Sequence, residues 1–279
     1  MLSSKTISML EKEEILEIKS KVKSAGKVIL EHLNKKTYKI EFKKRNDPVT
    51  TADYEANNIL MEALHKLFPK DSIVSEETYR PESSALIDEN RRMSQRIWII
   101  DPLDGTKDFI KGLPHFAVSV GFLENGHPDF GLIYNPAKNF FIYGGKDYGV
   151  FLNNRKFTRP VRKPKRIQDL KICISTSEIK QNLFPELLKV LPEDNLDFIG
   201  SVAYKLGLIA SGEYDLILSK RPKADWDIAG GIAILYDEEI EILDKNFRNV
   251  RLNKDSILTQ GLVVGTKSAI QLYKNFIGR

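Results

Sequence analysis

The residues whose types and spacing could do chemistry in this chain are acidic. In Trp98-Ile99-Ile100-Asp101-Pro102-Leu103-Asp104-Gly105-Thr106, the apolar run Ile97 to Ile100 ends in a carboxylate, and a second follows three residues later. Two carboxylates on one tight turn at the end of a buried strand can converge on a hard divalent cation, and the Leu103 carbonyl adds a neutral oxygen. Gly105 and Thr106 open what reads as a helix, so their backbone N–H groups would be free to receive phosphate. Cation and phosphate sites side by side describe a metal-dependent phosphoryl-transfer centre. The plainer alternative is an Asp-Pro turn with Asp104 as a helix N-cap.

Three further acidic features bear on the choice. Ser75-Glu76-Glu77 follows the short apolar strand Ile73-Val74, which again puts carboxylates at a strand end. Asp47-Pro48-Val49-Thr50-Thr51-Ala52-Asp53 leads into a helix, where Asp53 could serve as an N-cap. Ala224-Asp225-Trp226-Asp227-Ile228-Ala229-Gly230-Gly231 opens another helix, with two aspartates flanking Trp226.

The elements that must position these groups follow from periodicity. Residues 7–33 have apolar positions at helical spacing, as do 52–68, 202–210, 228–236 and 268–276. Strand patterns cover 38–42, 72–75, 97–100, 116–123, 130–134, 140–143, 149–152, 172–175, 197–199, 216–218 and 262–264. The run 97–100 is expected to stop at Asp101-Pro102. Asn125-Gly126 and Asn153-Asn154 mark turns. Residues 80–96 are polar and weakly patterned, which suits a loop or short helix. A change of texture near 150–165 divides the chain into an N-terminal half, about 1–155, and a C-terminal half, about 156–279. The mixture implies sheets and helices in stacked layers.

Composition narrows the classes. A 279-residue chain with 42% hydrophobic and 29% charged residues excludes collagenous, coiled-coil and wholly disordered proteins. Lys and Arg number 43 against 38 Asp and Glu, and the net charge of +5 permits an anionic partner without requiring one. The single cysteine, Cys173, lies in an apolar run and reads as a small buried hydrophobe in a reducing compartment. No stretch approaches the roughly 18–20 apolar residues of a membrane span. The acidic start, with Glu11, Glu13, Glu14 and Glu17, does not suit a signal peptide. A cytoplasmic protein without stable membrane insertion is therefore expected. His32, His65, His115 and His127 lack the spacing of a zinc or nucleophile site. Two basic stretches, 35–45 and 155–166, raise nucleic-acid binding by a non-catalytic protein as a different class of function. The second contains two prolines and one aromatic residue, Phe157, which fits a solvated loop better than a binding face with aromatic platforms. No nucleic-acid partner is expected.

Taken together, the four acidic segments resemble the motifs of the inositol monophosphatase superfamily of magnesium-dependent, lithium-sensitive phosphatases. They stand in that family's order over residues 47–231. The resemblance implies an α+β fold, a layered αβαβα sandwich forming a single phosphatase domain, and in many members a homodimer. It also implies two or three Mg²⁺ held by Glu76, Asp101, Asp104, Asp227 and the Leu103 carbonyl. Thr106, working with Glu76, would orient and deprotonate the attacking water, and Asp53 would help position it through a further metal. Gly105 and Thr106 would hold the phosphate. Two or three Mg²⁺ suffice to neutralise phosphate oxygens, lower the water's pKa and stabilise the leaving alkoxide.

For the substrate, Asp104-Gly105-Thr106-Lys107-Asp108-Phe109 resembles the 3′(2′),5′-bisphosphate nucleotidase branch. Seven residues before Asp227, where inositol-specific members commonly have Glu, this chain has Lys220 followed by Arg221, a pair suited to a second phosphate. Lys107, Ser201, Lys220, Arg221 and Asp227 are accordingly expected to face substrate. The run Gly112 to Gly121 reads more like the inositol monophosphatase branch. Ser75 replaces the usual glycine before Glu76-Glu77, and Tyr236-Asp237-Glu238-Glu239 replaces the usual E-A-G-G turn. The expected reaction is hydrolysis of 3′-phosphoadenosine 5′-phosphate to AMP and phosphate. An inositol monophosphate or fructose 1,6-bisphosphate is the alternative substrate.

Overall fold

The computed structural model describes residues 9–44, 47–79, 85–160 and 162–278. Helix α1 (Lys12–Lys35) buries the stripe Ile18, Val22, Ala25 and Ile29, as its spacing demands. The start expected near Ile7 lies outside the described residues. Strands β1 (Ile40–Lys44) and β2 (Asp47–Thr50) form an antiparallel ribbon, and α2 (Thr51–Leu67) follows at once. Next come β3 (Ser72–Ser75), the short helix α3 (Ala85–Met93), β4 (Arg96–Asp104) and α4 (Thr106–Ile110). A meander then runs through β5 (Ala117–Glu124), β6 (His127–Asn135), β7 (Phe140–Gly145), β8 (Gly149–Leu152) and β9 (Arg155–Phe157).

Strands β3 to β9 make one seven-stranded sheet in chain order, parallel between β3 and β4 and antiparallel elsewhere. Asn125 and Gly126 both have positive φ, as do Asn153 and Asn154. Paired left-handed residues give a two-residue turn whose twist matches the strands it joins.

The second half supplies β10 (Ile172–Ile174), α5 (Thr176–Lys180), α6 (Pro185–Val190), β11 (Leu196–Phe198), α7 (Val202–Ala210) and β12 (Leu216–Ser219). It continues through β13 (Lys223–Ala224), α8 (Asp225–Ile234), β14 (Ile240–Leu243), β15 (Leu258–Thr259), β16 (Leu262–Thr266) and α9 (Lys267–Phe276). Its main sheet has the order β11-β10-β12-β16-β14, and β13 pairs with β15 separately. Strand β14 falls just after Tyr236-Asp237-Glu238-Glu239, where no strand is expected from the sequence, although Ile240-Glu241-Ile242 alternates.

Alternation sets the layers. Along β4, Trp98 and Ile100 join a cluster with Val22 and Ile29 of α1 and Leu60 of α2. Ile97 and Ile99 face the other way, into a core with Leu206 of α7, Ile228 of α8, and Cys173, Ile217 and Val264 of the second sheet. A strand buried on both faces needs this continuous apolar run. Phe184 and Leu187 beside α6, with Ile270 and Tyr273 of α9, cover the far side of the second sheet. The result is a five-layer αβαβα sandwich of α+β class. Helix α8 lies so close to the first sheet that a Cβ on Gly131 would run into the Gly230 carbonyl. Cys173 is fully buried, and burial pushes its thiol up to about 12. No helix among the described residues is long and apolar enough to cross a membrane.

Candidate active site

Strand β4 does not stop at Asp101-Pro102 as the sequence suggests. It runs on to Asp104, with Asp101 opposite Ser119 and Asp104 opposite Ala117. Three steps on one strand against two on its neighbour are a β-bulge. The bulge accommodates Pro102, which has no N–H for the ladder. It also brings together two carboxylates three residues apart, which strict alternation would send to opposite faces. Gly105 then turns the chain into α4 at φ +94°, and a Cβ there would lie 2.6 Å from the His115 carbonyl oxygen.

The two aspartates meet Asp227, in the first turn of α8. One carboxylate oxygen from each of Asp101, Asp104 and Asp227 lies within 4.8 Å of the others. Each carboxylate has an oxygen held by a backbone N–H, local for Asp101 and Asp227 and from α7 for Asp104. Asp101 Oδ1 accepts from Leu103 N–H at 3.0 Å, and Asp227 Oδ2 from Ala224 N–H at 2.9 Å. Asp104 Oδ2 accepts from Ser201 Oγ at 2.7 Å and from Ala203 N–H. Asp101 Oδ2 is buried and has no hydrogen-bond partner.

Burial, with Glu76 and the two other aspartates nearby, pushes Asp101 well above the usual carboxylate range. Burial also raises Asp227, and Asp104 and Glu76 add to the shift, to about 8. Asp104 is raised by burial to about 6, against the pull of Ser201, Ala203 and Lys205. Three mutually repelling acids, two buried and one half-buried, with an orphaned oxygen make a donor set that fits a hard divalent cation.

Asp53 is not the N-cap of its helix. Thr50 is, and Asp53 at the third helical position closes a capping box by accepting Thr50 N–H at 2.8 Å and Thr50 Oγ1 at 2.6 Å on Oδ2. Its Oδ1 stands 3.0 Å from Thr106 Oγ1, which is also 3.0 Å from the Leu103 carbonyl. Burial lifts Asp53 to about 6, although the bonds from Thr50 and Thr106 pull it down.

Glu76 lines the same cleft but is engaged elsewhere. Lys43 on β1 donates to Glu76 Oε1 at 2.9 Å and to Glu77 Oε1 at 2.8 Å. Burial alone would lower the Lys43 ammonium, but the two carboxylates outweigh it and hold it high. Glu77 is raised by burial and by Glu76 to about 7, and its Oε2 is buried without a partner.

The cleft has a volume of about 250 Å³ and also takes in Leu103, Gly105, Thr106 and Lys107. Two of the expected substrate groups are not brought there. Buried Glu178 Oε1 accepts the N–H groups of Lys220 at 2.8 Å and Arg221 at 2.9 Å, which fixes that turn. The Lys220 ammonium then donates to the Leu183 carbonyl and sits 4.7 Å from the centre of the Phe184 ring. Lys220 and Arg221 thus lie outside the lining of the cleft. Ser201 is also corrected: it is fully buried, caps α7 by accepting Tyr204 N–H, and donates to Asp104, so it cannot touch a substrate.

The structure adds Lys111 and Lys180 to the lining. Lys111, one helical turn after Lys107, could have been found from the i, i+4 spacing. No motif pointed to Lys180. In the second basic stretch, Arg159 pairs with Asp237, Arg162 with Asp215 and Arg166 with Asp169. These pairs neutralise three of the charges that a nucleic-acid face would need.

The inositol monophosphatase family model matches residues 11–261. The chain is 34% identical over 200 residues to the 3′(2′),5′-bisphosphate nucleotidase CysQ of Salmonella typhimurium, covering 70% of this chain and 76% of that one. It is 30% identical over 218 residues to the Nus factor SuhB of Xylella fastidiosa, covering 76% and 75%. The crystal structure of the extragenic suppressor protein suhB from Bartonella henselae superposes with a TM-score of 0.77 over 94% of this chain and 98% of that one, at 24% identity.

Proposed function

The chain belongs to the inositol monophosphatase family, and from that premise we propose that it is a Mg²⁺-dependent phosphomonoesterase acting on 3′-phosphoadenosine 5′-phosphate. The observation that carries the phosphatase reading is the convergence of Asp101, Asp104 and Asp227 with a buried oxygen left unpartnered. The nucleotide reading rests on Lys107-Asp108-Phe109 after Asp104-Gly105-Thr106, and on the similarity to the CysQ nucleotidase.

Asp101, Asp104, Asp227 and the Leu103 carbonyl would hold divalent metal, with Glu76 joining once Lys43 releases it. When bound, the metal supplies charge neutralisation for phosphate oxygens and acidifies an attacking water. The chain's own residues do the positioning. Thr106 Oγ has one proton to share between Asp53 Oδ1 and the Leu103 carbonyl. Its lone pairs are then free to accept a proton from the water. Asp53, at about 6, is placed to take that proton in turn. The water oxygen bonds to phosphorus, the ester P–O bond breaks, and the leaving oxygen takes up a proton. The products are the free 3′-hydroxyl of AMP and inorganic phosphate.

The test is kcat/KM with Mg²⁺ for 3′-phosphoadenosine 5′-phosphate, inositol 1-phosphate and fructose 1,6-bisphosphate. The nucleotide is expected to exceed both sugars by at least about tenfold, a difference of about 1.4 kcal/mol in transition-state binding. A preference for inositol 1-phosphate would move the chain to the other branch. No Mg²⁺-dependent turnover of any of the three would overturn the reading. Lithium is expected to inhibit, and rates unchanged at high lithium would count against the family mechanism.

A further inference from the structure

We propose that Lys107, Lys111 and Lys180 form a subsite for a second phosphate group on the substrate, with Lys180 as its specificity-determining residue. The proposal rests on the phosphatase reading and adds Lys111 and Lys180, which no motif assigned, to Lys107, which the sequence already turned toward substrate. Lys107 and Lys111 stand one helical turn apart, on α4 and at its end, and Lys180 closes α5 in the other half of the molecule. All three side chains are solvent-exposed and line the same cleft as Asp101, Asp104 and Asp227. Thr176 and Ser177, from the first turn of α5, add hydroxyl groups to that lining.

The arrangement is divided by charge. The three clustered aspartates suit a cation. Of the three lysines, Lys111 has a carboxylate nearby, Asp108 Oδ1 at 3.3 Å. Asp108 is buried, and its Oδ2 accepts the Gly200 N–H at 2.8 Å. That bond ties α4 to the chain entering α7, so the two halves that carry the lysines are held together below the cleft. A neutral polyol would offer these lysines no anionic group of its own. A substrate with one phosphate at the aspartates and another elsewhere on the molecule would satisfy both groups. The cations first expected in this role, Lys220 and Arg221, lie outside the cleft.

The test uses the full chain with Mg²⁺, and compares 3′-phosphoadenosine 5′-phosphate with adenosine 3′-monophosphate. The ratio of their kcat/KM values is expected to fall about tenfold in Lys180→Gln, through KM, as the loss of one partly exposed charge contact implies. Lys180→Arg should restore most of it. An unchanged ratio in Lys180→Gln would overturn the subsite, as would an equal fall in Lys220→Gln. If the wild-type protein hydrolyses neither nucleotide, the proposed reaction fails but the subsite can still be judged. Calorimetric binding of the bisphosphate would then be about tenfold weaker in Lys180→Gln if the subsite stands, and equal if it does not.

Discussion

The carboxylate wall of the cleft hangs on one bulged strand and two helix starts, whereas the lysine wall is assembled from two short helices in different halves of the chain. On the first wall, backbone fixes side chain. Leu103 N–H holds Asp101, Ala224 N–H holds Asp227, Thr50 N–H holds Asp53 and Ala203 N–H holds Asp104. Lysines go where remote partners send them, as Lys220 outside the cleft shows. Lys220 is turned aside because Glu178, some forty residues earlier, grips its backbone. Three of the four carboxylate anchors lie two or three residues from the side chain they hold and so carry their geometry in the sequence, whereas Asp104 is held from α7, 99 residues on. A lysine does not carry its geometry there, since its ammonium can reach any of several partners.

The largest effect should come from breaking the first wall. Asp101→Asn is expected to lower Mg²⁺-dependent kcat/KM by about a thousandfold, since metal-derived stabilisation is worth several kcal/mol. Circular dichroism should be unchanged. In EDTA the variant should melt no lower than wild type, because it keeps an acceptor for Leu103 N–H and removes a carboxyl whose other oxygen is buried among acids without a partner. Retained turnover would sink the ligand assignment. Thr106→Ala should cost about a hundredfold in kcat with little change in KM, the range for a group that handles a proton. Losses confined to KM would mean that Thr106 binds rather than relays.

A metal-free titration sharpens the same comparison. Asp227 has a folded pKa of about 8 and an ordinary carboxylate value of 3.8. The folded state therefore binds more protons than the unfolded state between those values. The contribution of Asp227 to the stability of the metal-free protein should fall as pH rises through that window. Divalent metal favours the ionised carboxylates, so the rise in Tm on adding Mg²⁺ should be larger near about pH 8 than near about pH 5.5. A rise of equal size at both pH values would mean that these carboxylates do not take the metal.

Much of the fold and of the carboxylate wall was legible because it is local. The run Ile97 to Ile100 reads as a buried strand, and Asn125-Gly126 and Asn153-Asn154 as turns, from neighbouring residues alone. The bulge at Pro102 was not legible, because a proline after an aspartate looks like a stop until the neighbouring strand shows the pairing resuming at Asp104. Strand β14 was hidden by the acidic run before it. The Lys43 bridge to Glu76 and Glu77 joins residues more than thirty positions apart, and the sequence offered only a basic stretch.

The turn held by Glu178, outside the lining of the cleft, should respond more gently. Glu178→Gln keeps one acceptor oxygen for the turn at Lys220 and Arg221 but loses the charge. It is expected to cost about 1 kcal/mol in denaturant unfolding, whereas Glu178→Ala should cost about 2–3 kcal/mol by leaving buried donors unmet. Equal, negligible losses would mean that Glu178 does not set that turn.

The smallest effect expected is the most discriminating for the wall itself. The Lys220 side chain points at the Leu183 carbonyl and the Phe184 ring rather than into the cleft. Lys220→Gln should therefore change kcat/KM for a bisphosphate by less than about twofold, within the few tenths of a kcal/mol usual for exposed cations away from a site. Its effect should fall chiefly on stability, through the lost contact with Phe184. A loss of tenfold or more would mean that the 219–221 turn swings inward when substrate binds. The buried grip of Glu178 would then be a latch that substrate must open, and Glu178→Gln should lower KM for that same substrate.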